Sequence, residues 1–125
     1  MNALASGLRE LGVEEGDVVT LYLPMTPELP ISMLACARIG APHNVVFAGL
    51  SAEALATRLD AADSEYLITC DGYYHREDAF NQKSKADNAR LRMDGELDAT
   101  VVVDRLGDAL DVSLGADEHE YESLV

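Results

Sequence analysis

The residues of this chain that could do chemistry are few: Cys36 and Cys70, the three histidines His43, His75 and His119, Ser51, and the polar segment Thr69-Cys70-Asp71-Gly72-Tyr73-Tyr74-His75-Arg76-Glu77-Asp78. No CxxC pair and no Cys/His group at zinc spacing occurs, so neither a metal centre nor a disulfide is expected. Cys36 falls on the apolar face of an expected helix and Cys70 at the end of an expected strand, which predicts structural burial for both. Ser51 would need a base and a strained strand-to-helix elbow to act as a nucleophile; Ala48-Gly49-Leu50-Ser51 is explained by a turn followed by a helix cap. Gly40, Gly49 and Gly72 form neither GxGxxG nor GxxxxGK[ST], so no phosphate-cradling loop is present. No catalytic residue is therefore expected. The segment from Thr69 to Asp78 follows a strand, the end at which ligands gather in open α/β sheets, although the same composition suits a solvated loop.

These residues must be held by elements that the apolar spacing makes legible. Leu4, Leu8 and Leu11 recur at helical spacing before Gly12, predicting a helix over 2–11. Asp17 to Leu23 is rich in β-branched and aromatic residues and is closed by Pro24, which predicts a buried strand. Thr26 is the expected cap of the next helix, with Pro27 in its first turn and Ile31, Leu34, Ala35 and Ile39 continuing it to Gly40. Pro30 then sits near the end of that first turn, or the helix begins near Leu29. His43 to Phe47 reads as a strand, Ser51 as the cap of a helix carrying Leu55 and Leu59, Tyr66 to Cys70 as a strand, Gln82 to Met93 as a helix and Ala99 to Val103 as a strand. This alternation predicts an α/β fold, a mainly parallel sheet with flanking helices. Residues 1–103 read as one α/β subregion. Residues 104–125, with seven acids, one Arg and little periodicity, read as an acidic tail, loosely ordered or missing its packing partner.

A chain of 125 residues is the size of one domain. Its apolar fraction is 48%, no apolar run approaches membrane-spanning length, and the N-terminus lacks the pattern of a secretory leader, so a soluble cytoplasmic protein is expected. Asp and Glu number 23 against 9 Lys and Arg, with Lys83 and Lys85 the two lysines, and the net charge is −14. Nucleic acid and anionic membranes are poor partners for such a surface, because both require a positive patch to release counterions. Concentrated salt screens the self-repulsion, the Debye length falling to about 3 Å at 1 M. The composition resembles that of proteins from salt-accumulating extreme halophiles; an acidic mesophilic protein is the alternative. The patterned apolar residues argue against a disordered acidic chain.

The run Tyr22-Leu23-Pro24-Met25-Thr26-Pro27-Glu28-Leu29-Pro30, then Met33-Leu34-Ala35-Cys36-Ala37-Arg38-Ile39-Gly40-Ala41, then His43-Asn44-Val45-Val46-Phe47-Ala48-Gly49-Leu50-Ser51 resembles the AMP-forming acetyl-CoA synthetases, members of the adenylate-forming acyl-CoA ligase superfamily. The likeness extends from Asn2 to about Val103 and is most specific across residues 22–58. For the complete enzyme it implies a two-step ligase using ATP, Mg and CoA: acetate attacks ATP to give acetyl-adenylate and pyrophosphate, and CoA then takes the acetyl group. It also implies that this chain is a subregion of the large N-terminal domain. The phosphate loop, the nucleotide-holding residues, the hinge and the small domain with its adenylation lysine are not among these residues. No cofactor and no ligase activity are thus expected of the isolated chain, since positioning and charge stabilisation supply the catalysis.

In the family the segment matching Thr69 to Asp78 carries arginines that contact the phosphorylated nucleotide end of CoA. Without a gap the first falls on His75; a one-residue shift puts it on Arg76, and Glu77 and Asp78 follow where small and basic residues would stand. Arg offers phosphate a permanently charged fork, whereas neutral His offers one donor. Phe47-Ala48-Gly49 matches a Phe-Gly-Gly segment near the same nucleotide, with Ala48 in place of the first glycine. Phe47, Gly49, His75 and Arg76 are accordingly the candidate CoA contacts. Other readings also fit the chain: a non-catalytic binding module that pairs with another chain carrying the remaining ligase motifs, a decayed or truncated gene product, which is the simpler account, and a flavodoxin-like or receiver-like signalling domain. The receiver reading lacks its acidic cluster, since Leu23-Pro24-Met25 stands after the first strand.

Overall fold

Helix α1 (Asn2–Leu11) lays Leu4 and Leu8 on the core and stops where Gly12 takes φ +119. The Val13 amide then donates back to Leu8 O at 3.0 Å, the six-to-one bond of a Schellman turn. Helix α2 (Glu28–Arg38) stops in the same way at Gly40, with Ala41 N on Cys36 O at 3.0 Å. Helix α3 (Ala52–Ala61) does so at Asp63, with Ser64 N on Leu59 O at 3.0 Å, but here φ is +50 on a residue with a side chain. A left-handed residue that carries a Cβ costs about 1–2 kcal/mol, and glycine loses part of that gain to chain entropy. Asp63→Gly is therefore expected to raise stability by about 0.5–1 kcal/mol, read from thermal unfolding in molar KCl. An unchanged or lower midpoint would contradict this.

The computed structural model describes residues 2–24, 26–75, 78–103 and 117–124. Strands β1 (Val19–Leu23), β2 (His43–Phe47), β3 (Tyr66–Cys70), β6 (Ala99–Val103) and β7 (Glu118–Glu120) form one sheet in the order β2-β1-β3-β6-β7. Every neighbouring pair in it is parallel. Strands β4 (Gly72–His75) and β5 (Asp78–Asn81) form a separate antiparallel hairpin, and helix α4 (Gln82–Arg92) follows directly. The alternation of side chains along each strand feeds two cores. Val19, Leu21, Leu23, Ile68 and Val101 pack with α1 and α2, while Tyr22, Val46 and Leu67 pack with Leu55, Leu59, Ala86 and Ala89 of α3 and α4. Strands covered on both faces explain the near-continuous apolar runs.

Several local expectations need adjustment. The first strand begins at Val19, two positions after Asp17. Thr26 does not cap α2: its hydroxyl is buried with no hydrogen-bond partner, and only its carbonyl contributes, accepting from Leu29 N at 3.1 Å. Pro30 is the third residue of the helix, where the missing amide would have had no intrahelical acceptor. Ser51 caps α3 as expected, accepting from Ala54 N at 3.2 Å. The segment read as a loose tail contains β7 and a 3-10 turn (Tyr121–Ser123), with Tyr121 buried in the core that α1 also enters and Leu124 packed against the same core. Residues 104–116 of that segment lie outside the described residues.

Candidate functional site

The carboxyl ends of the strands share one edge of the sheet. Phe47 ends β2 opposite Leu23 of β1, Tyr22 lies opposite Thr69 of β3, and Cys70 lies opposite Val103 of β6. The chain steps outward from β1 to β2 and then returns past β1 to β3. Strand order thus reverses between β1 and β3, the place where an open α/β sheet forms a ligand crevice. Beside it stand the turn after β2 and the hairpin after β3.

The turn after β2 is built tightly. Leu50 N donates to Phe47 O at 3.0 Å, and the Tyr22 hydroxyl, buried beneath, donates to Leu50 O. Ala48 is buried, whereas the Phe47 ring is 71% exposed. A Cβ on Gly49 would lie 2.6 Å from Phe47 Cε1, so only glycine lets the backbone pass this close to the ring in its present position. An exposed aromatic face held by a rigid turn can stack on a planar group such as a nucleobase.

The hairpin rises from Asp71. The Asp71 amide extends the β3–β6 ladder by donating to Val103 O at 3.0 Å, its carbonyl accepts Lys83 N at 3.1 Å, and its carboxylate accepts Gly72 N at 2.8 Å. On the other leg Asn81, opposite Gly72, caps α4 by accepting Ser84 N at 2.8 Å. Of the sequence candidates, Phe47 and Gly49 lie on the carboxyl edge, and His75 is the last residue of β4, opposite Asp78. Arg76, with Glu77, lies outside the described residues. Ser51 is occupied as a cap, and burial pushes the Cys36 thiol up to about 11, which removes it as a nucleophile at neutral pH. Cys70 is buried in the same core as Cys36. Among the described residues no group of three or more His, Cys, Asp or Glu is arranged to hold a metal.

Helix α4 carries the ion pairs of Lys83 and Arg90. Lys83 Nζ lies 2.6 Å from Asp87 and 2.7 Å from Glu118, and the Arg90 guanidinium forks onto both carboxylate oxygens of Asp117. Burial alone would lower the Lys83 pKa, but its two carboxylate partners outweigh that and hold it above the ordinary value. A cavity of about 570 Å3 opens at the far end of α4, lined in part by Arg90, Leu91, Met93 and Leu97, and contains none of the candidate contacts.

At the amino edge, Asp17, Glu65 and Asp98 precede β1, β3 and β6, with Glu14 nearby. Burial, then the Asp17 charge and a hydrogen bond to Asp17, raise the Glu65 pKa above its ordinary 4.5. The folded state therefore binds this proton more readily than the unfolded chain, so stability rises as pH falls from 7 toward 4.5. The hydrogen bond from Arg90 lowers the Asp117 pKa, and that contribution is lost as pH drops below its ordinary 3.8. Urea unfolding is expected to show maximal stability at mildly acidic pH. Glu65→Gln, whose amide can donate to Asp17 at every pH, should be more stable at pH 7 and lose much of the rise; the same slope in wild type and variant would refute the assignment.

A family model described as AMP-binding enzyme matches residues 1–123. The chain is 46% identical over 114 residues to an acetyl-coenzyme A synthetase of Methanothrix thermoacetophila, covering 91% of this chain and 17% of that protein. An acetyl-coenzyme A synthetase of Streptomyces avermitilis is 48% identical over 118 residues, covering 94% and 18%. Among solved structures, an acetoacetyl-CoA synthetase from Streptomyces lividans aligns with a TM-score of 0.85 at 26% identity, over 98% of this chain and 18% of that one. The chain spans 17% to 18% of the length of these relatives.

Proposed function

The chain belongs to the AMP-binding enzyme family, and from that premise we propose that it is an α/β subregion of an acetate-CoA ligase, the part that receives the nucleotide end of CoA. The observation that carries this reading is an exposed Phe47 held by a rigid turn on the carboxyl edge that also bears the β4–β5 hairpin, in a chain 46% identical to an acetyl-coenzyme A synthetase. In this reading Phe47 stacks on the adenine base and Gly49 keeps the backbone clear of the ring. The His75 and Arg76 side chains meet the 3′-phosphate, Arg76 with the stronger charge-assisted bond. ATP and Mg serve the complete ligase in forming the acyl-adenylate, and no residue of this chain is assigned to them. The 125 residues by themselves are inactive, and the acidic surface suits a salt-rich cytoplasm.

A second reading is a non-catalytic module that pairs with another polypeptide carrying the remaining ligase motifs. Val45 and Phe47, 47% and 71% exposed on the edge strand β2, favour it, since an apolar sheet edge is commonly covered by further chain. One experiment tests the shared core of both readings. The purified chain in molar KCl is assayed for ATP- and acetate-dependent CoA thioester formation, with circular dichroism on the same sample. A folded chain with no turnover above a no-protein control is expected; clear turnover would overturn the assignment of adenylation to residues outside this chain.

A further inference from the structure

We propose that β2 is a contact between two copies of this chain, paired antiparallel about Val45 so that the two main sheets join edge to edge. Among the described residues β1 is the one strand paired with β2, and the outer edge of β2 presents backbone groups that no strand meets. Such edges are commonly blunted by a charged residue or a proline, but His43-Asn44-Val45-Val46-Phe47 holds no proline and no acid. The register sets His43, Val45 and Phe47 beside Val19, Leu21 and Leu23, so they share the sheet face on which α2 packs. Helix α2 shields β1 on that face, yet Val45 and Phe47 stay exposed, and so does Leu34 of α2 itself, at 55%.

Charge selects the occupant. The chain carries 23 acids, yet none of the 24 residues from Leu29 to Ala52 is Asp or Glu, and no other acid-free run exceeds ten residues. All of α2 after Glu28, β2 and the turn that follows lie in this run, with Arg38 and His43 as its basic side chains. Two copies meeting through the rest of their surface bring carboxylates together, which like charge disfavours. Copies meeting through β2 keep them apart. A two-fold axis through Val45 also makes the contact self-complementary: Val45 faces its own equivalent, and each Phe47 ring faces the His43 of the other copy across the strands. An arbitrary strand does not supply this doubled match. Both α2 helices then lie on one face of the joined sheet, with a Leu34 on each side of the Val45 pair. The contact does not rest on the CoA reading, and a nucleotide stacked on Phe47 would compete with it.

Sedimentation equilibrium in molar KCl, without CoA, tests this on the wild-type chain, Val45→Glu, Val45→Lys, Leu34→Glu and Leu91→Glu, with circular dichroism on each protein. The wild type is expected to be a dimer at high micromolar concentration. Val45→Glu and Val45→Lys each set like charges opposite one another, and each should raise the dimer dissociation constant at least about tenfold. An equimolar mixture of the two should recover the dimer, since Glu then faces Lys. Leu34→Glu should weaken it as well, whereas Leu91→Glu, at a position 85% exposed on α4, should leave it intact. A wild type that stays monomeric to submillimolar concentration would overturn the proposal and leave the edge to a different polypeptide. A dimer that survives both Val45 variants would place the contact elsewhere and overturn it equally. Should a Val45 variant fail to fold, Leu34→Glu and Leu91→Glu decide: weakening confined to Leu34→Glu upholds the contact, and any other pattern refutes it.

Discussion

Replacing Lys83 by methionine is expected to lower stability by about 2–4 kcal/mol, because the substitution keeps the side-chain volume and leaves a carboxylate in the protein interior without its nearest cation. The Lys83 side chain is 4% exposed and that of Glu118 is 7% exposed, with 2.7 Å between them. After the substitution Arg90 still lies 3.9 Å from Glu118, but it is already committed to Asp117. Asp87, the second partner of Lys83, is half exposed, so water and salt compensate its loss and its share is small. The ion pair spans α4 and β7, with Glu118 opposite Thr100 on the sheet face that α4 covers. Combining Lys83→Met with Glu118→Gln should restore most of the stability, as removing both charges differs from stranding one. Urea unfolding of the two single variants and the double variant measures this, and a Lys83→Met chain within about 0.5 kcal/mol of wild type would contradict the account.

A second large effect is expected at Gly7, where sign is more telling than size. Alanine in a helix is favoured over glycine by about 1 kcal/mol, so an unobstructed Gly7→Ala would stabilise α1. A Cβ there, however, would lie 2.3 Å from Leu124 O and 2.9 Å from Leu124 C. Backbone atoms cannot rotate out of the way, so either α1 moves or the final turn lifts off and exposes Tyr121. The net result should be a loss of about 2 kcal/mol, typical of overpacking. In a chain shortened to residues 1–116 the obstruction is gone, and the same substitution should become stabilising. Thermal unfolding of the four proteins tests this, and a loss that persists in the shortened chain would show that Leu124 is not its cause.

Both predictions concern a segment that looked unstructured in the sequence, and the reason is physical. Glu118-His119-Glu120 has neither alternation nor β-branched residues, so nothing in its own composition marks a strand. Its order comes from partners far along the chain: the β6 ladder, Lys83, and the core that takes in Tyr121. The hairpin was missed for a similar cause, since four-residue strands of polar and aromatic residues resemble a solvated loop. The four apolar strands and four helices were legible because each carries its burial pattern locally, and β2, β3 and β6 fall on the expected residues. At the candidate site, the turn of Phe47 and Gly49 was readable from its residues. Asp71 was not singled out, although an Asp-Gly pair directly after an apolar strand is a signal that a side chain could hold the next amide.

The matching turns at Gly12, Gly40 and Asp63 divide the molecule into a part that can be rewritten and a part that cannot. Each turn delivers its helix to the amino edge at a fixed distance from the following strand, and six-to-one hydrogen bonds at all three leave no slack for an added residue. A descendant of this sequence, natural or designed, that lengthened those connections would have to re-register a parallel strand, and β1 and β3 are buried along their whole length. The opposite edge carries no such constraint on strand pairing. New specificity would therefore arise by exchanging the Phe47 turn and the hairpin, with the helix endings kept as fixed grammar.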